Sequence, residues 1–573
     1  MKNTLQSLVK YLKIHNIDAL LIPSNDEYNN EFTPEYSNRL KFFTGFTGSN
    51  GLALIEAGGK LTFFTDSRYT EQAKQELKNS VFEVKDIQNA GLDKWLIKHY
   101  KWKALWLCPE LHMHNFIEQI SKIVEVKMLP IMELDSLWIN KLEKPKSNIV
   151  EYKVKFSGKS SREKLAAIFK TLKDNAPILI TDPNLVCWAL NIRGCDIPYT
   201  PTALCYALIY NNGSVTIFIN NHTLKLSNEN KIQSDNILNL SNHLKEICRK
   251  KHYLMVDCNK TSAAIVKIIN DSMVKIKKIS YTEIWQIAME KTDLEIELSK
   301  NVHIEDAVAL IKFLYWIKKS FKKDEITEIK AAKKLDEYRK TNKNYKQPSF
   351  PTISAFGANS AIVHYNGMNN ALIKNGIYLI DSGGQYYGAT TDVTRTIILG
   401  SASEKQKTEY TLVLKGLITL STAVFPAKTN AQNLDILARQ HLWKNYYDYA
   451  HGTSHGVGNY LNVHELPTIS KYFSNFPLKP NVVISNEPGI YLNNFYGIRL
   501  ENLMYVIKLK NNFFGFEQLT AAPFDYDMIN FLMLTIEEKN WLNNYNILMR
   551  QKVMEKLDLQ EKNFLKYHTT LLH

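Results

Sequence analysis

The stretch Gly376-Ile-Tyr-Leu-Ile-Asp381-Ser-Gly-Gly384, answered further on by Thr391-Asp392-Val-Thr-Arg-Thr396, decides how this chain is to be read. An apolar β run ends at Asp381 and a second run begins beside Asp392, with Gly383, Gly384 and Gly388 between them. Glycines allow a tight reversal, so a hairpin sets the two acids side by side. The same device recurs in Ser485-Asn-Glu487-Pro-Gly489 and Gly497-Ile-Arg-Leu-Glu501. Pro488 biases Glu487 towards extended backbone, and Gly489 permits the turn after it. Because strand side chains alternate, Arg499 and Glu501 share one face, while Ile498 and Leu500 point to the other. Between the two pairs of acids lie His451-Gly-Thr-Ser-His455-Gly-Val-Gly458 and Asn462-Val-His464-Glu465.

Four carboxylates gathered in one pocket repel one another, so some must protonate or meet cations. Two divalent ions balance four negative charges. With one imidazole completing the shell, such oxygen-rich ligation suits Mn2+ or Mg2+ better than a structural zinc site. Mn2+ is the favoured ion, with Co2+, Fe2+ and Zn2+ as alternatives. Two ions roughly 3.5–4 Å apart would raise a nucleophile from water at neutral pH and polarise a carbonyl, which makes hydrolysis the expected chemistry.

Singly, each of these residues has a plain structural reading. Asp381 before Ser-Gly-Gly suits a turn, Asp392 a strand end, Glu487 a solvated loop, Glu501 an ion pair with Arg499, and His455 a turn among glycines. Their ordered recurrence is what favours a site.

In that order and with those flanking residues, Asp381, Asp392, His455, Glu487 and Glu501 resemble the five metal ligands of the pita-bread metallopeptidases. Within that group the chain is similar to the large, three-domain aminopeptidase P (Xaa-Pro aminopeptidase) family. Supporting segments are Ser349-Phe-Pro-Thr-Ile-Ser354, Ile362-Val-His364-Tyr365 and Asn462-Val-His464-Glu-Leu-Pro467. The resemblance implies a mixed α/β fold with two creatinase-like α/β domains, 1–143 and 148–285, followed by a pita-bread α+β catalytic domain with its tail, 290–573. It implies release of the amino-terminal residue from peptides with proline second, two divalent ions, and a homodimer.

Roles follow from the same resemblance. Asp392 and Glu501 would bridge the ions, Asp381 would hold one, and His455 with Glu487 the other. Glu487 would also shuttle the proton. His364, His451 and His464 would stand near the substrate carbonyl or leaving group, Arg499 would orient Glu501 or the substrate, and Arg68 in Thr65-Asp-Ser-Arg-Tyr69 would bind substrate, even across the dimer interface. Two departures stand out: Ser454 and Leu466 occupy positions where the family has glycine, and Leu466 is expected to reshape the pocket.

The remaining sequence sets limits. At 573 residues the chain is too long for one core and suggests about three domains. The formal charge of +14 is scattered among asparagines and forms no block, and no basic-aromatic motif stands out, so nucleic acid is an unlikely partner. No run reaches the roughly 18 apolar residues of a membrane span, and the first ten residues show no signal-peptide pattern, so a soluble cytoplasmic chain is expected. Cys108, Cys187, Cys195, Cys205, Cys248 and Cys258 form no CxxC pair and read as buried free thiols.

Locally, Leu5, Leu8, Val9 and Leu12 predict a first helix leading to the strand Ala19–Pro23. Strands follow at 51–55 and 61–65, with Asp66 or Ser67 expected to cap the next helix. Lys141 to Ser147 reads as a linker, and a similar grammar then repeats: helix 161–174, strand 178–182, helix 185–191, strands near 204–210 and 215–219. Leu310, Phe313, Leu314 and Ile317 mark the core stripe of a long helix. Three rival functions remain: a prolidase, which normally has one amino-terminal domain; a methionine aminopeptidase, which is little more than a catalytic domain; and an inactive peptide- or nucleic-acid-binding module, whose kind typically loses metal ligands whereas this chain keeps all five.

Overall fold

The computed structural model describes residues 2–573 apart from 79–80, 88–90, 221–222, 227–231, 251, 368–369 and 472–475. The chain divides into two compact units: Met1–Val154 with Lys159–Ile287, and Lys155–Gly158 with Ala288–His573.

In the first unit the amphipathic start folds as the helix Lys2–Ile14, which buries Leu8 and Leu12. A six-stranded sheet follows, built from β1 (Ala19–Pro23), β2 (Leu52–Glu56), β3 (Leu61–Thr65), β4 (Phe82–Asp86), β5 (Leu105–Leu107) and β6 (Val126–Met128) in the order β4-β3-β2-β1-β5-β6. The pairs β1–β2 and β2–β3 are antiparallel, whereas β3–β4, β1–β5 and β5–β6 are parallel. A second sheet repeats the plan with β7 (Ile178–Ile180), β8 (Tyr206–Ile209), β9 (Val215–Phe218), β10 (Ile232–Asp235), β11 (Leu254–Val256) and β12 (Ile276–Lys278). Its order, β10-β9-β8-β7-β11-β12, and its alternation of parallel and antiparallel neighbours match the first sheet strand for strand. That identity of connection is what a duplication leaves behind.

Two local expectations need correction. Neither Asp66 nor Ser67 caps the helix Thr70–Glu76, which starts at Tyr69 without a side-chain cap. Asp66 instead folds back on its own turn, where Oδ1 accepts from Arg68 N at 2.9 Å. Cys195 is exposed and Cys248 half-buried, while the other four thiols are buried.

The second unit opens with α1 (Asp293–Ser320), begun by a reciprocal cap between Thr292 and Glu295. Leu310, Phe313, Leu314 and Ile317 share one core cluster with Tyr378, Ile380, Val393 and Ile397. Burial of each such side chain contributes about 1.5–3 kcal/mol, so the stripe fixes the strands it covers. Those strands are β13 (Ile353–Phe356), β14 (Gly376–Ser382) and β15 (Val393–Leu399), with β14 central and antiparallel to both neighbours. Helix α2 (Glu328–Lys340) follows α1 in the chain, and α3 (Glu404–Ser421) and α4 (Asp435–Trp443) follow β15.

A third six-stranded sheet contains β16 (Phe425–Pro426), β17 (Ser454–Gly456), β18 (Glu465–Ile469), β19 (Val483–Asn486), β22 (Asn502–Lys508) and β23 (Phe513–Gln518) in the order β16-β23-β22-β19-β17-β18. Between β19 and β22 the chain forms the hairpin β20 (Gly489–Leu492) and β21 (Tyr496–Arg499). Ile498 and Leu500 enter the core beside Ile490, Leu414 and Leu417, as their alternation requires. Among the described residues no helix is long and apolar enough to cross a membrane.

Candidate metal centre

Asp381 lies on β14 opposite Thr394 of β15, and Asp392 immediately precedes β15. The reversal between them depends on close approach: a Cβ on Gly383 would stand 1.9 Å from Thr391 O and 2.2 Å from Ser349 Oγ. No side chain fits there. Glu487 and Glu501 occupy the break between two ladders. Asn486 pairs with Asn502 before it, Gly489 with Arg499 after it, and Glu501 N donates to Thr394 O at 3.1 Å. One backbone bond thus joins the two halves of the site.

The five predicted ligands converge. Ligand atoms of Asp381, Asp392 and Glu501 lie within 4.8 Å of one another, as do those of His455, Glu487 and Glu501, and those of Asp392, His455 and His464. Asp392, His455 and Glu501 each belong to two of these groups. His455 Nε2 is 3.5 Å from Asp392 Oδ2 and 3.6 Å from Glu487 Oε1. Its Nδ1 donates to Gly456 O at 2.9 Å, which leaves the Nε2 lone pair facing the acids.

These residues fit a pair of cations. Asp381 Oδ1, Asp392 Oδ1 and Glu501 Oε1 are buried without a hydrogen-bond partner. A buried carboxylate oxygen with no donor is costly unless a cation or proton meets it. Burial, reinforced by Asp381 and Glu487, pushes Asp392 well above the usual carboxylate range. Burial and the Asp392 and Asp381 carboxylates do the same to Glu501. Burial and Glu501 push Glu487 up to about 8. With only the protein's own charges present, protons would have to neutralise the cluster, and divalent ions remove that need.

A hydrogen-bonded shell orients the acids. Arg499 is buried and donates from Nη2 to Asp381 Oδ2 at 2.6 Å, from Nη1 to Tyr491 Oη at 2.8 Å and from Nε to Thr394 Oγ1 at 3.2 Å. Thr394 Oγ1 in turn donates to Glu501 Oε2 at 2.7 Å. Arg499, read from sequence as orienting Glu501 or the substrate, therefore grips Asp381 directly and reaches Glu501 only through Thr394. Ser485 Oγ accepts from His455 N at 3.0 Å and lies 3.3 Å from Glu487 Oε1, to which it donates.

The other predicted histidines fall into distinct places. His464 stacks edge-on against His455 with ring centroids 4.5 Å apart. His451 donates from Nδ1 to Gly452 O at 2.7 Å, and its Nε2 meets Tyr491 Oη at 2.8 Å. With Nδ1 donating to Gly452 O, the Nε2 of a neutral His451 imidazole accepts from Tyr491 Oη. His364 follows Val363, whose carbonyl accepts from Arg499 Nη2 at 3.4 Å, which brings this segment to the Asp381 side of the cluster. Arg68 belongs to the first unit, where it pairs with Asp66 at 2.7 Å.

Sequence reading missed Tyr491, Thr394 and Ser485. Each had a signal in strand alternation, which puts Thr394 on the face of Asp392 and both Ser485 and Tyr491 on that of Glu487. Ser454 is buried beside His455, and its Oγ has no hydrogen-bond partner. Leu466 packs against the cluster of Leu420, Ile469, Ile484 and Met504. Asp525, Asp527 and His568 also lie close enough to share an ion. There Lys318 Nζ already sits 2.7 Å from both acids.

Paired creatinase-type sheets, a pita-bread unit and a buried four-carboxylate, one-histidine cluster define a dinuclear-type metallopeptidase. The chain belongs to metallopeptidase family M24, which its residues 297–508 match, with the family's C-terminal region at 512–572. Residues 5–134 and 140–295 each match the creatinase/prolidase N-terminal domain. The chain is 34% identical to a probable Xaa-Pro aminopeptidase P of Colletotrichum graminicola, over 96% of this chain and 95% of that protein. It is 33% identical to Xaa-Pro aminopeptidase 1 of Dictyostelium discoideum, over 98% of this chain and 95% of that one. The X-prolyl aminopeptidase of Caenorhabditis elegans, described as a cytosolic enzyme with a di-nuclear active site, superposes with a TM-score of 0.93 at 29% identity. That match covers 100% of this chain and 99% of the other.

Proposed function

We propose that this chain is an Xaa-Pro aminopeptidase, which hydrolyses the bond between an amino-terminal residue and a following proline. The observation that carries the reading is the set of buried oxygens on Asp381, Asp392 and Glu501 that have no hydrogen-bond partner, in a cluster where His455 Nε2 lies 3.5 Å from Asp392 Oδ2 and 3.6 Å from Glu487 Oε1. The near end-to-end match to proteins of that name supports the choice of substrate.

Asp381, Asp392, His455, Glu487 and Glu501 would hold the two ions, Asp392 and Glu501 as ligands shared between them, Asp381 for one and His455 with Glu487 for the other. The ions, for which Mn2+ is our choice, would activate water and polarise the scissile carbonyl. Glu487, the more open of the acids at 18% side-chain exposure, takes the proton of the attacking water and returns it to the prolyl nitrogen. That nitrogen carries no hydrogen while acylated, so the site needs no amide donor from the substrate there. His464, beside His455, and His364 donate to the substrate. His451, whose Nδ1 lies 3.9 Å from Glu487 Oε2, stands near the leaving group. Arg68 is assigned to substrate binding on family resemblance alone.

The catalytic domain is taken as 290–573, after domains at 1–143 and 148–285. A homodimer in the cytoplasm completes the reading.

Chelation followed by addition of Mn2+, Mg2+, Co2+ or Zn2+ tests the centre. Activity on an Xaa-Pro-Xaa tripeptide should vanish and return with Mn2+, at two ions per chain by elemental analysis. Full activity in the chelated protein would end the proposal.

A further inference from the structure

We propose that Glu328, at the start of α2 and remote from the five ligands in sequence, is the positioning residue for His364. The inference rests on the reading of His364 as a substrate-contacting histidine.

Glu328 is fully buried. Its Oε1 accepts from Phe356 N at 2.7 Å and Asn359 Nδ2 at 2.9 Å, and its Oε2 from Tyr365 Oη and Ala371 N, both at 2.7 Å. These donors fill the acceptor sites of a carboxylate. All of them come from the segment that brackets His364. The backbone adds Glu328 N to Ala371 O at 3.1 Å, and Tyr365 Oη also accepts from Asn359 Nδ2 at 3.0 Å and Asn370 N at 3.2 Å.

On its other side the same segment is held by the site. Arg499 Nη2 donates to Val363 O at 3.4 Å, and Gly497 N donates to Ser360 Oγ at 2.7 Å. His364 therefore sits on a span clamped between a buried carboxylate and the arginine that grips Asp381. A buried charge held by neutral donors is costly to keep, and only a carboxylate can accept from two backbone amides and two side chains at once. Misplacing a catalytic group by about 1 Å can cost on the order of a hundredfold in rate. Loosening the Glu328 clamp is thus expected to act through His364.

The test uses Glu328→Gln, which turns an NH2 group towards two of the donors, and Tyr365→Phe, which deletes one hydroxyl and keeps the carboxylate. Each is made in the wild-type and His364→Ala backgrounds of the metal-loaded enzyme. Turnover of an Xaa-Pro-Xaa tripeptide and metal content are then measured. Either change should lower kcat about tenfold with both ions retained, and by less than about twofold once His364 is alanine. Equal losses in the two backgrounds overturn the coupling, as does an unaltered kcat in Tyr365→Phe, the variant that decides the matter if Glu328→Gln does not fold. A wild-type rate in His364→Ala alone removes the role of His364, and this assignment with it.

Discussion

Arg499 Nη2 lies 2.6 Å from Asp381 Oδ2, while Asp381 Oδ1 is buried with no hydrogen-bond partner. One oxygen is pinned and the other is presented to the cluster. Lysine offers a single point charge and cannot serve Asp381, Tyr491 and Thr394 together. Arg499→Lys is therefore expected to weaken metal binding about 10–100-fold, the usual cost of losing a partner of a metal ligand. Competition with a chelator of known affinity measures it, and an unchanged midpoint would sink this view of Arg499.

Thr394 relays between Arg499 Nε and Glu501 Oε2. Valine keeps its shape and removes both bonds. Thr394→Val should lower affinity for the ions and turnover together by about tenfold or more, with KM for the tripeptide little changed. A rise in KM alone would mean that Thr394 touches substrate binding and not the ligands.

Gly383 permits the turn by having no Cβ, since one would press on Thr391 O at 1.9 Å. Gly383→Ala must displace the backbone that leads into Asp392. Elemental analysis of the purified variant should show loss of bound metal, and a variant that still carries two ions would contradict the account of the turn.

His112 offers a test of the first unit. Its Nδ1 lies 2.9 Å from Cys108 O, its Nε2 is buried without a partner, and burial pushes it down from 6.5 to about 4. The folded state thus binds fewer protons than the unfolded one between those values. The stability from neutral His112 is present above pH 6.5 and is lost as pH falls towards 4, by up to about 3 kcal/mol from linkage. His112→Asn, which does not titrate there, should show a smaller drop in apparent Tm from pH 6.5 to 4.5. Parallel curves for the two proteins would count against it.

Much of this was legible because hairpins and alternation are local. Asp381 and Asp392 flank a glycine-rich reversal and Glu487 precedes Pro488-Gly489, so the local pairing was readable from spacing, and the resemblance joined the acids into one ligand set. The stripe from Leu310 to Ile317 and the strand Ala19–Pro23 were equally plain, being set by periodicity. What sequence did not carry was the shell. Arg499 meets Asp381 across 118 positions, and Glu328 meets Ala371 across 43, so neither contact leaves a local pattern. Leu466, noted in the sequence as a departure from the family's glycine, is half-buried and packs against the cluster that holds Ile469 and Ile484, a contact no local pattern carries.

The central claim is the bond that is cut. An Xaa-Pro-Xaa tripeptide and the matching Xaa-Pro dipeptide, each incubated with the Mn2+-loaded protein, give the most direct measurement. The account predicts release of the first residue from the tripeptide, with the dipeptide left intact. Faster cleavage of the dipeptide would make the protein a prolidase. No cleavage of either, with two ions bound, would leave it a peptide-binding module on the same fold.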